Sequence, residues 1–425
     1  IRNAWKVAEI RKKLLYTLFI IIVFRFGSAL TVPFLTLSKV QEWMSTNATD
    51  GNFLEYLNIL TGGALSKATI FSLSITPYIN ASIIIQLLTY ALPPLERLQS
   101  EGETGRKKLN QITAFVALGL SIFMSVAYYF TLKNMGAVKY TTGFEGVFAA
   151  VVISSCFVAG AMLVVWMGNR INDKGIGNGI SMILFAGIVA RFPTDVGTLI
   201  TLTKDNPSKY LFVSIAIAVI YVVMIGFVVF MNESERRIPI QYAKRVVGKK
   251  AYGGHTSYIP LKVNQAGVIP IIFASSVLMF PVTIAQFVDV PWVKAMGKLF
   301  QWGSPLQTTL YVLMILFFTY FYTAVSLNIG DLSDNIKKNG GFIPGLRPGN
   351  PTTEYLDKVM SRITLAGAIF LSLIALMPHV IGWVTRIEGV YFGGTALLIV
   401  VGVALQTMKQ IESMVLMRHY HGFMK

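Results

Sequence analysis

The sequence predicts an all-α membrane protein, with ten transmembrane helices in two pseudo-symmetric, inverted halves of five and one re-entrant half-helix. Composition is the first observation: of the 425 residues, 54% are hydrophobic and 13% are charged, and the mean hydropathy is +0.60. Ordinary soluble domains do not have these values. The second is the recurrence of apolar windows near the length of about 20 residues that crosses a bilayer. The third is a helix-breaking site in each half, at Gly62-Gly63 with Pro77 and at Gly267 with Pro270, as inverted repeats have.

Ten apolar windows are the predicted spans. Their residues are 14–32, 77–92, 112–130, 147–168, 176–192, 211–231, 265–285, 306–327, 363–377 and 390–408. The spans divide the chain into four parts. These are a cytoplasmic amphipathic segment at 1–13, an N-terminal half at 14–200, a C-terminal half at 201–408 and a cytoplasmic tail at 409–425. Two long loops, at 232–264 and 328–362, belong to the C-terminal half.

The segment 62–74 is apolar enough to enter a membrane but too short to cross one. It begins at the Gly62-Gly63 pair and ends shortly before Pro77, and both sites interrupt helices. Interrupted backbone at membrane depth is tolerated only where protein buries it or where it lines a watery cavity. The sequence therefore predicts a re-entrant half-helix beside a pathway through the protein.

Basic residues are concentrated on one side of the predicted topology. With the N-terminus inside, the cytoplasmic segments hold 26 of the 37 Lys and Arg residues. The positive-inside rule expects such an excess in cytoplasmic loops. Because the number of spans is even, we expect both termini to lie in the cytoplasm.

The loops at 232–264 and 328–362 are long for connectors in a compact bundle. Both are basic and contain turn-forming residues between short apolar runs. We expect ordered cytoplasmic protrusions whose charge suits an acidic protein, an anionic lipid surface or RNA.

The predicted spans contain no Asp or Glu. Ion-coupled transporters and pumps usually carry acids there, because a proton or cation needs a binding site. Their absence favours a passive channel over the alternative of a five-plus-five secondary transporter. A membrane-embedded enzyme is a third class, but the sequence has no Ser/His/Asp set and no phosphate-binding loop. The His-x-His pair of His419 and His421 has a spacing that can bind a metal, but its place in the tail favours a solvated end. We therefore expect no catalytic residue, metal ion or cofactor.

Four isoleucines fall where the interrupted segment and other spans would converge. Ile75 and Ile79 share a helix face because they are four residues apart, and Ile272 and Ile399 belong to spans of the second half. A ring of branched apolar side chains makes a dry constriction that blocks ions. Isoleucine also packs in any membrane helix, so spacing alone leaves ordinary core packing as the alternative.

Short motifs occur in order along nearly the whole chain. In the first half they are Phe24-Arg-Phe-Gly-Ser28, Thr61-Gly-Gly-Ala-Leu-Ser66, Pro77-Tyr78, Ala81-Ser-Ile-Ile-Ile-Gln-Leu-Leu88, Glu101-Gly-Glu-Thr-Gly-Arg106 and Gly175-Ile-Gly-Asn-Gly-Ile-Ser181. In the second half they are Tyr242-Ala-Lys-Arg245, Pro260-Leu-Lys-Val-Asn264, Gly267-Val-Ile-Pro270, Pro344-Gly-Leu-Arg-Pro-Gly349 and Phe392-Gly-Gly-Thr395. With these motifs the chain resembles the SecY family, whose members are the central subunits of bacterial protein-conducting channels.

The resemblance implies an hourglass channel that opens like a clamshell and whose external funnel is sealed by a plug at 62–74. By position, the plug includes Gly62, Gly63, Ala64, Leu65, Ser66, Lys67, Ala68, Thr69, Ile70 and Phe71. The constriction ring is Ile75, Ile79, Leu184, Ile272, Ile284 and Ile399. A lateral gate between the second and seventh spans includes Asn80, Ile83, Leu87, Ile271, Ser275, Ser276 and Met279. Met124 stands where relatives often have a polar Gln, which removes one member of the gate's polar cluster.

The resemblance also implies a function and partners. Such a multi-pass channel translocates unfolded polypeptides across the bacterial cytoplasmic (inner) membrane and releases transmembrane segments sideways into the lipid bilayer. The SecA motor ATPase or the ribosome drives transport, signal sequences open the gate, and small SecE and SecG subunits accompany the channel. Arginine suits bidentate contacts with carboxylate or phosphate groups. The docking positions for SecA or ribosomal RNA are Arg347, Arg236, Arg237, Lys244, Arg245, Lys249 and Lys250.

Overall fold

The computed structural model describes residues 5–46, 58, 61–242, 245–247, 250–252, 256–287, 290–300, 304–385 and 394–422, and most of them are α-helical. The helices are α1 (Ala8–Gly27), α2 (Leu37–Thr46), α3 (Thr76–Ala91), α4 (Pro93–Ser100), α5 (Glu103–Asn134), α6 (Gly143–Lys174), α7 (Gly179–Asp205), α8 (Pro207–Glu233), α9 (Ile269–Phe287), α10 (Pro291–Leu299), α11 (Pro305–Ser326), α12 (Ile329–Lys338), α13 (Asn350–Thr385) and α14 (Gly394–Gly422). The strands are β1 (Glu235–Tyr242), β2 (Arg245–Val247), β3 (Lys250–Tyr252), β4 (Thr256–Lys262) and β5 (Gly341–Phe342).

Each of the ten predicted spans coincides with a helix, and the all-α class is confirmed. Within the described part of the chain, seven helices are long and apolar enough to cross a membrane, namely α5 to α8, α11, α13 and α14. The pair α3 and α4 reaches the same standard when taken together, although it is bent by 101°. The described residues of α1 and α9 fall short of it, so the count of ten spans stays a prediction for these two helices.

Several helices extend beyond their predicted ends, because polar residues continue the helix outside the apolar window. α5 and α6 have 32 residues each and α13 has 36, so α13 begins inside the predicted loop 328–362. α7 continues past its predicted end at 192 and past the predicted boundary of the halves at 200. It therefore contains an acid, Asp195, which lies 3.3 Å from Arg191 one turn earlier. Asp195 lies outside the predicted span at 176–192, which itself contains no acid.

The prediction of a half-helix at 62–74 is wrong in its secondary structure, because the segment is a succession of turns. Four of its residues have φ between 43° and 83°: Gly62, Gly63, Ala68 and Ser74. Residues in this left-handed region cannot continue a right-handed helix. Short-range hydrogen bonds replace the helical ones, as where the Ser72 Oγ donates to the Ala64 carbonyl oxygen at 3.1 Å. Part of the interrupted backbone is thus satisfied within the segment itself.

The two predicted long loops fold together into one body, which we call the sheet unit: β1, β4 and β5 with α12 and the first turns of α13. β1 is central and antiparallel to both β4 and β5. Alternate residues of β1 point inwards, so Ile238 and Ile240 are buried. The core of the sheet unit takes side chains from both loops, and its buried members are Ile238, Ile240, Leu261, Ile336, Ile343, Leu356 and Met360.

The base of the β1–β4 hairpin is fixed to the membrane helices. The Val263 backbone N–H donates to the Ser234 carbonyl oxygen at 3.0 Å, and the Asn264 Nδ2 donates to the Asn232 Oδ1 at 2.8 Å. α13 approaches so closely at Gly367 that a Cβ there would lie 2.5 Å from the Val263 carbonyl oxygen. The sheet unit is therefore joined to α8 and α13 at its base.

The turn between α6 and α7 contacts both ends of the chain. The Ile176 N–H donates to Thr17 Oγ1 of α1 at 3.0 Å, and the Gly177 N–H donates to Gln410 Oε1 of α14 at 2.9 Å. Asn178 caps α7 by accepting from two N–H groups of its first turn. The geometry of this turn depends on Gly177, whose φ is 88°. The turn thus ties α1, α7 and α14 together.

Candidate pore and gate

The segment 62–74, which we call the plug segment, lies buried among α1, α5, α6 and α7. Leu65 and Phe71 are only 3% and 4% exposed. The Phe71 ring stacks on Phe24 of α1, with 5.6 Å between ring centroids. On another side, the Tyr128 hydroxyl of α5 donates to the Leu65 carbonyl oxygen at 2.8 Å. The plug segment therefore belongs to the packed interior and is not a surface loop.

The chain leaving α1 holds the plug segment through its backbone. The Val32 N–H donates to the Ala68 carbonyl oxygen at 3.1 Å, and the Ile70 N–H donates to the Leu30 carbonyl oxygen at 3.0 Å. Thr31 forms the isolated bridge with Thr69 between them. Backbone pairing and aromatic stacking thus act on the same short segment.

Five of the six predicted ring side chains meet in one apolar cluster. Those of Ile75, Leu184 and Ile399 are buried, and those of Ile79 and Ile272 are partly buried against them. The side chain of the sixth, Ile284, lies outside the described residues. Phe71 belongs to the same cluster, so the plug segment and the ring positions form one continuous apolar body.

The ring residues occupy matching places in the two halves. Ile79 and Ile272 are each the fourth residue of their helices, α3 and α9. Leu184 and Ile399 are each the sixth residue of α7 and α14. Each therefore lies within the first two turns of its helix, and the four side chains belong to one cluster. Ile75 precedes α3 as its N-cap residue, one turn before Ile79 on the same face.

The predicted gate residues lie in a second apolar cluster. Ile83 and Leu87 of α3 pack there with Ile271 of α9, together with side chains of α8, α11, α13 and α14. Asn80 is buried, and its Oδ1 has no hydrogen-bond partner among the described residues. The Ser275 Oγ donates to the Ile272 carbonyl oxygen of its own helix at 2.9 Å.

The remaining gate positions add no described polar link across the gate. Ser276 is buried on α9, and the Met279 side chain lies outside the described residues. Met124 packs against the cluster that contains Leu65 and Tyr128, which places it beside the plug segment. Apolar contact therefore dominates the described meeting of α3 and α9.

Comparison with known proteins accounts for this arrangement. The family model for SecY matches residues 69–408. Protein translocase subunit SecY of Streptomyces coelicolor is 41% identical over 434 residues, and the alignment covers 100% of this chain and 99% of the relative. The chain belongs to the SecY family. The protein of the same name from Thermotoga maritima is also 41% identical, over 427 residues that cover 100% of this chain and 97% of the relative. The chain is thus a multi-pass subunit of a protein translocase.

Solved structures agree with the SecY fold. A protein-conducting channel superposes with a TM-score of 0.66 at 16% identity, covering 96% of this chain and 93% of that chain. Sec61 in a canine ribosome-channel complex from the endoplasmic reticulum superposes with a TM-score of 0.62 at 14% identity, again covering 96% and 93%. At these identities the likeness supports the shared fold alone. The resemblance drawn from the sequence motifs is confirmed.

In this SecY-family chain, the predicted docking residues that the structure describes lie on β1, on the β2–β3 hairpin and on the turn after β5. Arg347 is exposed at the tip of the turn after β5, while the neighbouring Leu346 packs against the core of the sheet unit. The turn is held by the Thr352 Oγ1, which donates to the Arg347 carbonyl oxygen at 2.8 Å. Partly buried Leu346 holds the turn, and exposed Arg347 presents one positive charge from an ordered surface.

The other predicted docking residues lie on β1 or in the segment that follows it. Arg236 and Arg237 are exposed on this strand. Arg245 and Lys250 begin the strands of the β2–β3 hairpin, but their side chains lie outside the described residues. Lys244 and Lys249 lie wholly outside them.

Arg237 is more constrained than its exposure suggests. Its Nε donates to the Glu235 carboxylate at 2.7 Å, and its guanidinium lies 4.9 Å from the Tyr258 ring centroid on β4. The hydrogen bond to Glu235 raises the pKa of the Arg237 guanidinium above its ordinary value. Arg237 therefore remains charged and points in a defined direction, whereas no such partner is described for Arg236.

Sequence reasoning missed the residues that receive the plug segment. A Cβ at Gly27 of α1 would lie 2.2 Å from the Phe71 ring, and one at Gly160 of α6 would lie 2.0 Å from the Ile70 carbonyl oxygen. Tyr128 supplies the hydrogen bond to Leu65. Glycine and tyrosine inside apolar helices are common, so only the spatial neighbour reveals the role.

Proposed function

We propose that this SecY-family chain forms the pore through which unfolded polypeptides cross the cytoplasmic membrane. One observation supports this most directly: the side chains of Ile75, Ile79, Leu184, Ile272 and Ile399, from matching places in two halves, meet in a cluster that also contains Phe71 of the plug segment. A cluster at the convergence of four helices is suited to form a constriction. Ile284 is proposed as a sixth member of the ring.

The ring works as a seal because branched apolar side chains do not hydrate ions. A narrow apolar constriction dewets, so ions do not pass when the plug segment is seated. When the halves separate, the same side chains can contact a moving polypeptide without any hydrogen bond that depends on its sequence. The seal is therefore compatible with chains of any composition.

The lateral gate is the meeting of α3 and α9. Its residues Ile83, Leu87 and Ile271 make contacts that lipid tails or an apolar helix can replace at little cost. A transmembrane segment of the client can thus pass from the pore into the bilayer. Asn80, Ser275, Ser276 and Met279 would set how readily this contact opens.

Energy for transport comes from partners. We propose that SecA or the ribosome docks on the sheet unit through Arg347, Arg236 and Arg237, and that Lys244, Arg245, Lys249 and Lys250 of the same long loop as β1 add to this contact. Sec61, a structural neighbour of this chain, occurs in a ribosome-channel complex. SecE and SecG are proposed as the accompanying subunits. The basic face that carries the sheet unit lies in the cytoplasm, as do both termini.

The test is site-directed crosslinking to a client in transit. Single cysteines replace Ile79 and Ile272 in a background where Cys156 is replaced, and a secretory precursor carrying its own cysteine is stalled in inverted membrane vesicles. Crosslinks that depend on SecA and ATP are expected at both positions. Leu88→Cys, on the exposed side of α3, is the matched control and should give none.

A stalled precursor with no crosslink at either ring position, in an intact and inserted protein, would contradict the pore. The ring positions would then be ordinary packing residues. Uptake of small solutes by the same vesicles would instead favour an ion-coupled transporter.

A further inference from the structure

We propose that Tyr128 of α5 and Gly160 of α6 form a latch for the plug segment and set how strong a signal sequence must be to open the channel. The inference rests on the proposed function and deepens it. Neither residue belongs to the ring, to the gate or to the motifs by which the sequence resembles its family.

Tyr128 holds the plug segment through a buried hydrogen bond. Its side chain is 7% exposed, and its hydroxyl donates to the Leu65 carbonyl oxygen at 2.8 Å. The Tyr128 ring packs on Phe157 of α6, with 5.1 Å between centroids, so the hydroxyl is held in place. If the plug segment leaves, this hydrogen bond is lost, and the buried donor must find another partner.

Gly160 lets the plug segment approach α6 along its backbone. A Cβ at this position would lie 2.0 Å from the Ile70 carbonyl oxygen and 2.7 Å from the Ile70 Cγ2. Neither atom is the far end of a flexible side chain, so a larger residue here must push the plug segment away. The absence of a side chain at Gly160 thus allows the plug segment to pack directly against α6.

The contacts made by Tyr128 and Gly160 act on the same side of the plug segment. Leu65 and Ile70 flank Ala68, whose φ of 43° turns the chain between them. Leu65, Tyr128 and Phe157 belong to one buried cluster, with Ile70 packed against it. α5 and α6 therefore grip both arms of a single turn.

Gating follows from this grip by linkage. A signal sequence opens the channel only to the extent that it binds the open state better than the closed state. Weakening the closed seat by a given factor lowers the required differential affinity by the same factor. Signals too weak to open the native channel should then suffice.

The experiment compares two precursors with translocase that contains the full chain and its partner subunits in proteoliposomes. One precursor carries an intact apolar signal sequence, and the other carries one weakened by a polar substitution. The readout is the ratio of translocation of the weak-signal precursor to that of the intact one. A merely damaged protein would lower both rates and leave this ratio unchanged.

Tyr128→Phe removes only the hydroxyl, and we expect it to raise the ratio about tenfold, the effect of losing a buried hydrogen bond. Tyr129→Phe is the matched control, because Tyr129 is also 7% exposed and no hydrogen bond to the plug segment is described for it. Gly160→Ala should raise the ratio as well. Its control is Gly119→Ala on α5, where a new Cβ would have no neighbour within 4 Å.

Deletion of 65–73 in the same assay separates this inference from the proposed function. If the deletion raises the ratio and neither Tyr128→Phe nor Gly160→Ala does, the latch is wrong and the plug remains. If the deletion itself leaves the ratio unchanged, the plug segment does not set the signal threshold and the latch fails, whereas the pore is tested separately by the crosslinks at the ring positions. An equal rise in Tyr129→Phe would also overturn the latch.

Discussion

Single side chains at the level of the ring carry the proposed seal. Ile79 and Ile272 are partly buried, whereas Ile75 is fully buried beneath the plug segment. The partly buried pair therefore faces the space that must close, and the buried residue supports it. Polar replacements at the pair should hydrate the constriction without removing much packing.

The double variant Ile79→Ser, Ile272→Ser should make the resting channel conduct ions, because a hydroxyl-lined constriction no longer dewets. Conductance across a planar bilayer is the measurement, and we expect an increase of tenfold or more over the unsubstituted channel. Leu88→Ser on the exposed side of α3 should leave conductance at its resting value. Equal conductance in both variants would remove these isoleucines from the seal.

Arg347→Glu should reduce SecA-dependent secretion at least tenfold, since it reverses an exposed docking charge while its neighbours remain folded. Secretion of a precursor and binding of SecA to vesicles are measured together. Lys338→Glu makes the same charge change on an exposed residue of the sheet unit and should have a small effect. Normal secretion by the Arg347 variant would contradict the docking role.

For single residues, the sequence predicted those that belong to a recognisable motif or pattern. It missed those whose role depends on a contact with a distant part of the chain. The resemblance to the SecY family predicted Ile75, Ile79, Ile272 and Ile399 as ring residues, and they do lie in one cluster. Their spacing alone left ordinary core packing as the alternative. No sequence pattern pointed to Gly160, because its role depends on its close approach to the Ile70 carbonyl oxygen, which belongs to a distant part of the chain. Local pattern cannot encode a contact of that range.

Among the structural elements, the plug segment departs most from its predicted form. Its composition is compatible with a helix, yet four left-handed residues turn it back on itself. Hydrogen bonds from the α1 exit and from Tyr128 stabilise turns that an isolated peptide would not keep. Tertiary contacts here override local propensity.

Deletion of 65–73 should loosen the closed state without abolishing transport, because a plug gates the pore and takes no part in moving the client. We expect a higher resting conductance together with retained secretion of a signal-bearing precursor. Complete loss of export by a correctly inserted protein would show instead that the segment is needed to build the channel.

The sheet unit is the second element with a testable consequence. Ile240 is 2% exposed in a core made from both loops. Ile240→Ala should destabilise the sheet unit by about 2–5 kcal/mol, the usual cost of such a cavity. Limited proteolysis of inverted vesicles should then cleave the sheet unit faster and leave the membrane helices intact. Gln241→Ala, an exposed neighbour on β1, is the control.

Helix existence could be predicted from hydropathy, whereas helix ends could not. α7 continues to Asp205, beyond the apolar window, and the Arg191–Asp195 ion pair supports only the first turn of that extension. The sheet unit was predicted only as ordered protrusions, because the pairing of residues near 240 with residues near 341 joins loops that are separated by two membrane helices. Neither result follows from a window of neighbouring residues.

Over the whole molecule, charge is distributed unevenly. The chain has a formal net charge of +17, and most basic residues lie in the segments predicted to be cytoplasmic. An anionic partner approaching that face meets a positive potential before any contact forms. Such attraction between exposed charges is screened by salt.

Docking of SecA or ribosomes on vesicles should therefore weaken as salt rises. Between about 50 mM and 200 mM salt we expect the dissociation constant to rise at least tenfold, with a shallower slope for Arg347→Glu. Binding measured across that range is the test. A dissociation constant independent of salt would mean that apolar contacts, and not the basic face, hold the partner.

The clasped base of the sheet unit has a mechanical consequence. Val263 and Asn264 are hydrogen-bonded to the end of α8, and Gly367 of α13 lies close to Val263. The β1–β4 hairpin is therefore rigidly connected to the membrane helices. Only residues 263–268 separate β4 from α9, the helix that forms one side of the gate. If a motor bound at Arg347 applies a force, the rigid connection transmits that force to the gate. Such a partner would open the channel without entering the pore.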